Sequence, residues 1–246
     1  MDTVANVSAQ QGVVTVEYVG TTMNHGTGSE KTLLGVVLAG GRSSRMGQDK
    51  ALLELSDGTT LLERQLRRLS SLLPKVVLSV RDRDYAFLQK RLTACGRVRL
   101  LPDETDEIGP LGGIASALGE AEKEHFAGIL VLPCDMPLIT EGLLARLTGF
   151  WHEAPETLVT ALEESSGRVH PLAAVWSVRA LPFVRKALAS GDYSLRRAVG
   201  AQYWRTLVLD PKEDVLLANA NTPREWQEIR KRLASDACGA LAGMRS

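Results

Sequence analysis

The sequence predicts an α/β protein built on an open, mainly parallel, Rossmann-like sheet flanked by helices. From residue 33 onward, short apolar runs alternate with helical patterns. Three of the runs, LLGVVLA (33–39), KVVLSV (75–80) and GILVLP (128–133), are nearly continuous in Val, Leu and Ile, as parallel strands covered on both faces require. The 246 residues, 44% hydrophobic and 24% charged, are enough to bury the core of such a sheet.

Residues 1–30 lack the basic and continuous apolar regions of a signal peptide, and they are small, polar and Gly/Thr-rich. They read as a disordered N-terminal extension, with a short strand at VVTVEYV (13–19) as the alternative. Residues 31–235 read as a single domain. Its remaining strand candidates are VRLLP (98–102), TLVTAL (157–162), LAAVWS (172–177) and TLVLD (206–210). Between them, TLLERQLRRLSSLL (60–73) carries a helical apolar stripe, and Thr60 and Glu63 stand at capping-box spacing. Thr140 caps a second helix whose Leu143, Leu144, Leu147, Phe150 and Trp151 share a face. Residues 84–94, 113–124, 179–190 and 223–235 are weaker helix candidates, and 236–246 read as a flexible tail. Right-handed crossovers place the loops at the carboxyl ends of the strands along one edge, where open α/β sheets bind ligands.

Twenty-nine basic and 29 acidic side chains cancel, so no global field recruits nucleic acid or an anionic membrane, and any cationic site has to be local. No apolar stretch reaches the roughly 18–20 residues that span a bilayer. Cys95, Cys134 and Cys238 are odd in number and widely spaced, which gives neither a disulfide framework nor a zinc motif. The expectation is a cytoplasmic protein without a structural metal.

The local cationic site is at GVVLAGGRSSRMGQDKALLE (35–54). An apolar strand stops at Gly40 and Gly41, and Arg42, Arg45 and Lys50 follow within nine residues. Glycines let backbone N–H groups approach phosphate oxygens, and a following helix adds a partial positive charge. Arginine forks and a lysine point charge in this number suit a triphosphate better than a single phosphate. Taken alone, the stretch also reads as a solvated basic turn. It has neither the G-x-x-x-x-G-K-[ST] nor the G-x-G-x-x-G spacing.

L-A-G-G-R-S-S-R-M-G-Q-D-K (38–50) resembles the signature of nucleotidyltransferases of the nucleotide-diphosphosugar-transferase fold. With the later segments, the chain most resembles the molybdenum cofactor guanylyltransferases, in pieces, from about residue 33 to 230. In that family the aspartate of P-C-D-x-P is the magnesium ligand, and it maps onto Asp135; read alone, Asp135 could equally open a turn with Met136 and Pro137. LPDETDEIGPLGGIASAL (101–118) is similar to the family's D-x(5–6)-G-P-L-x-G segment, whose nucleotide-contacting aspartate maps onto Asp103, with Asp106 as second choice. Ser79 stands where relatives often carry a nucleotide-contacting asparagine, and it cannot reproduce an amide pair.

The resemblance implies transfer of GMP from GTP to molybdopterin-bound molybdenum cofactor, with release of pyrophosphate. Leu38, Ala39, Gly40, Gly41, Ser79 and Asp103 would hold the nucleotide, Arg42, Arg45 and Lys50 the leaving group, and Asp135 the Mg²⁺. His170 of RVHPLAAVWS, Arg196 of GDYSLRRAV, and Asn219 and Asn221 of LLANANTPREW would face the acceptor. Each also has a plain reading: a turn hydrogen bond for His170, a solvated basic helix face for Arg196, turn-forming asparagines for the last two. GTP and molybdopterin or molybdenum cofactor are the expected partners, with a molybdenum-insertion protein as a further candidate. The alternatives are a related enzyme using CTP or another phosphorylated acceptor, and a nucleotide-binding module without chemistry.

Overall fold

The computed structural model describes residues 5–10, 13–18, 32–39, 50–55, 57–80, 98–102 and 109–243. In chain order the elements are strands β1 (Ala5–Gln10), β2 (Val13–Tyr18) and β3 (Leu33–Leu38), helix α1 (Leu61–Leu72), strands β4 (Val76–Val80) and β5 (Val98–Pro102), helix α2 (Pro110–Lys123), strand β6 (Gly128–Pro133), helix α3 (Glu141–His152), strands β7 (Val159–Glu163) and β8 (Val169–Ser177), helices α4 (Leu181–Ala189) and α5 (Leu195–Ala198), strand β9 (Trp204–Val208) and helix α6 (Pro223–Gly243). The helix expected at 84–94 lies outside the described residues.

Seven strands form one sheet in the order β5-β4-β3-β6-β8-β7-β9. The pairs β3–β4, β4–β5, β3–β6 and β7–β9 are parallel, and β8 alone in this sheet runs against its neighbours β6 and β7. All seven strand candidates are therefore strands. The reversal of β8 follows from its connection. Glu164–Arg168 is far too short for a parallel crossover, which takes a dozen residues or more, and Gly167 supplies the positive φ of 85° that closes the turn.

Both faces of the sheet are covered. Leu62, Leu66 and Leu69 of α1 and Leu143, Leu144 and Leu147 of α3 pack over Val37, Leu78, Leu130 and Leu132. Ile114 and Leu118 of α2 and Leu181 and Val184 of α4 cover Val36, Val77, Ile129 and Val131. Alternate residues of β3 and β6 thus enter opposite cores, which is why those strands read as unbroken apolar runs. The capping box of α1 is formed: Thr60 Oγ1 accepts from Glu63 N at 3.2 Å and Glu63 Oε2 from Thr60 N at 2.7 Å. Thr140 Oγ1 caps α3 through Leu143 N at 3.2 Å. Phe150 departs from the expected core face. It is half-buried beneath Arg205, whose guanidinium stands 3.4 Å from the ring centroid.

Two segments differ from the reading of the termini. Within residues 1–30, β1 and β2 pair antiparallel with Ala5 opposite Tyr18, the strand alternative for 13–19, favoured by the β-branched Val13, Val14, Thr15 and Val16. Helix α6 runs past residue 235 to Gly243 through an alanine- and leucine-containing stretch of good helix propensity.

Gly128 shows how tightly β6 meets β8. A Cβ there would stand 2.4 Å from the carbonyl oxygen of Trp176 and 3.1 Å from Ser177 Cα. Gly128→Ala is expected to cost about 1–3 kcal/mol. Urea unfolding should show a lower midpoint with an unchanged slope.

Candidate active site

The strand order reverses at β3. From β3 the chain proceeds to β4 and β5 on one side, then crosses to β6 on the other, so the carboxyl ends of β3 and β6 flank a topological switch point. Leu38 and Pro133 pair there. The chain leaving β3 is pinned by Ala39 N donating to the Ser79 carbonyl at 3.1 Å. Ser79 itself is 2% exposed. Leu38 and Ala39 are half-buried at this edge. Gly40, Gly41, Arg42, Arg45 and Asp103 lie outside the described residues.

Three segments converge beside the switch point. Lys50 opens a single 3₁₀ turn, Lys50–Leu52, after the glycine loop. Its Nζ donates to Asn221 Oδ1 at 2.6 Å and lies 3.8 Å from Asp135 Oδ2. Asp135 follows two residues after the end of β6, and its carbonyl accepts from Ala220 N at 2.8 Å, which ties the N-x-N-T-P segment to the aspartate loop. Leu138, Ala220, Trp226 and Ile229 share a small core with Leu53 and Leu61 beneath that junction. So Lys50, Asp135 and Asn221, named as site residues from separate motifs, are brought together.

Burial pushes the Asp135 carboxyl above its usual range, and the nearby negative charge of Glu225 adds to this; Lys50, backbone hydrogen bonding and His170 oppose it. Burial thus disfavours the ionised carboxylate in the folded protein. Cys134, before it, packs against the α1–α3 core.

His170 is 5% exposed, with Nε2 2.8 Å from Glu164 Oε1. Glu164 belongs to the β7–β8 connection, so the hydrogen bond of the plain reading is present, and Glu164 also lines the cleft that holds Asn219 and Asn221. Arg196 is exposed on the short α5, and no hydrogen bond or ion pair among the described residues joins it to the Lys50 cluster. Its neighbour Arg197 pairs with Asp192 at 2.8 Å. Asn219 is half-buried and donates weakly, at 3.4 Å, to the Leu217 carbonyl. Both Asn219 and Asn221 line an open cleft of about 410 Å³, together with Leu138, Glu164, Asp214 and Glu225.

Glu225 was missed by the sequence reading. Its Oε2 accepts from Asn221 N and Thr222 Oγ1, both at 3.0 Å, while Thr222 Oγ1 accepts from Glu225 N at 3.2 Å. Thr222 thus caps α6, with Glu225 at capping-box spacing (T-x-x-E, 222–225) but reaching one residue further back, to the N–H of Asn221. Glu225 holds the backbone that presents Asn221.

The oxygen donors gathered here suit a hard cation. Among the described residues no three His, Cys, Asp or Glu side chains form a ready-made cage. The buried Asp135 carboxylate, with the side-chain amide oxygen of Asn221 in the same cluster, suits a divalent cation that would take further ligands from water and phosphate oxygens.

A family model described as the MobA-like NTP transferase domain matches residues 35–206. The chain belongs to that family. The MobA-like match spans Lys50, Asp135 and His170 and stops before Asn219 and Asn221. Among curated relatives, a probable molybdenum cofactor guanylyltransferase of Rhodopirellula baltica is 33% identical over 194 residues, 78% of this chain and 89% of that protein. The molybdenum cofactor guanylyltransferase of Xanthomonas euvesicatoria pv. vesicatoria is 34% identical over 198 residues, 79% of this chain and 93% of that one. The crystal structure of molybdopterin-guanine dinucleotide biosynthesis protein A from Archaeoglobus fulgidus superposes with a TM-score of 0.67 at 21% identity, covering 82% of this chain and all of that one. That likeness establishes the fold, a nucleotidyltransferase sheet with its helices.

Proposed function

We propose that this MobA-like transferase moves GMP from GTP to the terminal phosphate of molybdopterin-bound molybdenum cofactor. The acceptor oxygen forms a bond to the α-phosphorus of GTP. The bond from that phosphorus to the α–β bridging oxygen breaks, and its electron pair leaves with pyrophosphate. The acceptor phosphate is already anionic and needs no strong base, so rate comes from alignment and charge neutralisation. The observation that supports this most is the convergence of Lys50, Asp135 and Asn221 at the switch point, next to the end of β3.

In this reading Lys50 holds the departing phosphates together with Arg42 and Arg45. Its contact with Asn221 sets it between the donor and acceptor sides. Asp135 would hold Mg²⁺, which when bound supplies positive charge to the phosphate oxygens. The backbone from Leu38 to Gly41 and the carboxylate of Asp103 would select the base, with Ser79 serving through its carbonyl. Asn221 and Asn219 would orient the acceptor phosphate at the mouth of the cleft. His170, held by Glu164, acts on the field at Asp135 rather than on the acceptor, and Arg196 is left out of the acceptor set. No helix among the described residues is long and apolar enough to cross a membrane, and a cytoplasmic enzyme receiving its acceptor from a molybdenum-insertion protein is the setting we infer.

The test is pyrophosphate release by the purified protein with Mg²⁺ and molybdenum cofactor, offering GTP and CTP separately. Release with GTP alone is expected. A preference for CTP would keep the chemistry and change the donor, and no release with either would overturn the assignment.

A further inference from the structure

The segment that carries Asp135 is held from a side that the cluster above does not include. Gln65 lies in the middle of α1, at 0% exposure, on the face that meets the end of β6. Its Nε2 donates to the Met136 carbonyl at 2.6 Å and to the Pro133 carbonyl at 3.4 Å, on either side of Cys134 and Asp135. Its Oε1 accepts from Arg68 Nη1 at 2.8 Å. An arginine offers only donors and carbonyls only accept, so one amide orientation alone satisfies all of these partners. Arg68, 9% exposed, also reaches the Pro137 carbonyl at 3.4 Å, and Arg64 Nε donates to the same oxygen at 3.1 Å. Burial pushes the Arg68 guanidinium down to about 10, so it stays cationic at neutral pH. Polar side chains on a buried helix face cost desolvation that a leucine would not. Here they are spent on one short stretch of backbone, Pro133–Pro137.

We propose that Gln65 is a positioning residue for Asp135. It fixes the carbonyls that bracket the aspartate, while Ala220 N holds the Asp135 carbonyl from the α6 side. The carboxylate is thereby presented to Lys50 and to the bound phosphates without rearrangement. Gln65 acts only through this backbone. The inference rests on the reading of Asp135 as the metal-holding carboxylate.

Gln65→Met in the full chain keeps the side-chain length and removes both donated hydrogen bonds. Cooperative melting is expected to persist. With a non-cleavable GTP analogue bound, the affinity for Mn²⁺, read calorimetrically, should weaken about 10-fold or more, and kcat with GTP should fall about 10- to 100-fold, as when outer-shell partners of a metal ligand are removed. The KM for GTP should stay near that of the wild type. Gln65→Glu keeps the acceptor for Arg68 and turns an oxygen on the two carbonyls, so it should lose at least as much. Unchanged Mn²⁺ binding in both variants overturns the proposal, as does failure of both to fold, which would make Gln65 a folding requirement. Asp135→Asn is run alongside. If it binds Mn²⁺ and turns over like the wild type, the reading of Asp135 itself falls. If it loses both while Gln65→Met keeps both, only the positioning role falls.

Discussion

Asp135→Asn is expected to lower turnover by about two orders of magnitude or more, the size of effect that removing one preorganised electrostatic group gives, without lowering the melting temperature of the metal-free protein. The two halves of this result have one cause. Burial raises the Asp135 carboxyl pKa despite the nearby Lys50, so the ionised form is worse off in the fold than in the unfolded chain. For a raised carboxyl the sign runs against the usual acidic residue. Below its unfolded pKa the group is protonated in both states and costs nothing. As the pH rises from the unfolded toward the folded value the fold loses stability, and above the folded value the loss is constant. The asparagine avoids that cost. Melting in chelator should therefore favour the variant at pH 7, and the advantage should shrink in acid. A carboxylate kept for packing would give the reverse: full activity with a lower melting temperature. A site kept at a cost to stability is the mark of function.

The strands were legible because burial on both faces writes itself into the chain as an apolar run, as in LLGVVL and GILVLP. Their directions were less so. β8 is as apolar as its neighbours, and only the five-residue turn before it, with Gly167, reveals that it runs back. A charge at a strand end or in a glycine loop breaks the local pattern at Asp135 and Lys50. Each alone also reads as part of a turn, and it was the resemblance to the family's motifs that implied a role for them. Gln65 could not be picked out in either way. It falls on the same helical face as Leu61 and Leu69, and a polar residue there looks like a lapse in the stripe until its carbonyl partners are seen. Glu225 is an intermediate case, since its capping-box spacing is local while its effect on Asn221 depends on where α6 starts. The contact between Lys50 and Asn221 spans 171 residues and is a property of the fold alone.

In the function proposed above, that contact would join the donor side to the acceptor side, and a double-mutant cycle tests it. Lys50→Met should lower kcat by about 100-fold, through loss of a cation from the departing phosphates. Asn221→Ala should also lower it, because the ammonium then loses its 2.6 Å acceptor, a closer contact than its 3.8 Å approach to Asp135. The backbone at 221 would remain in place, since its N–H is held by Glu225 and not by its own side chain. The effects should not add. With Lys50 gone, the asparagine has nothing left to aim, so the double variant should be less impaired than the product of the two losses, by about 1–3 kcal/mol of coupling. Rates of all four proteins at saturating GTP, acceptor and Mg²⁺ supply the cycle. Additive losses would mean that Asn221 serves the acceptor alone and that its bond to Lys50 is dissolved on binding. Coupling of the expected size would mean that the lysine is aimed before the triphosphate arrives, so that little of the binding energy of GTP is spent on placing it.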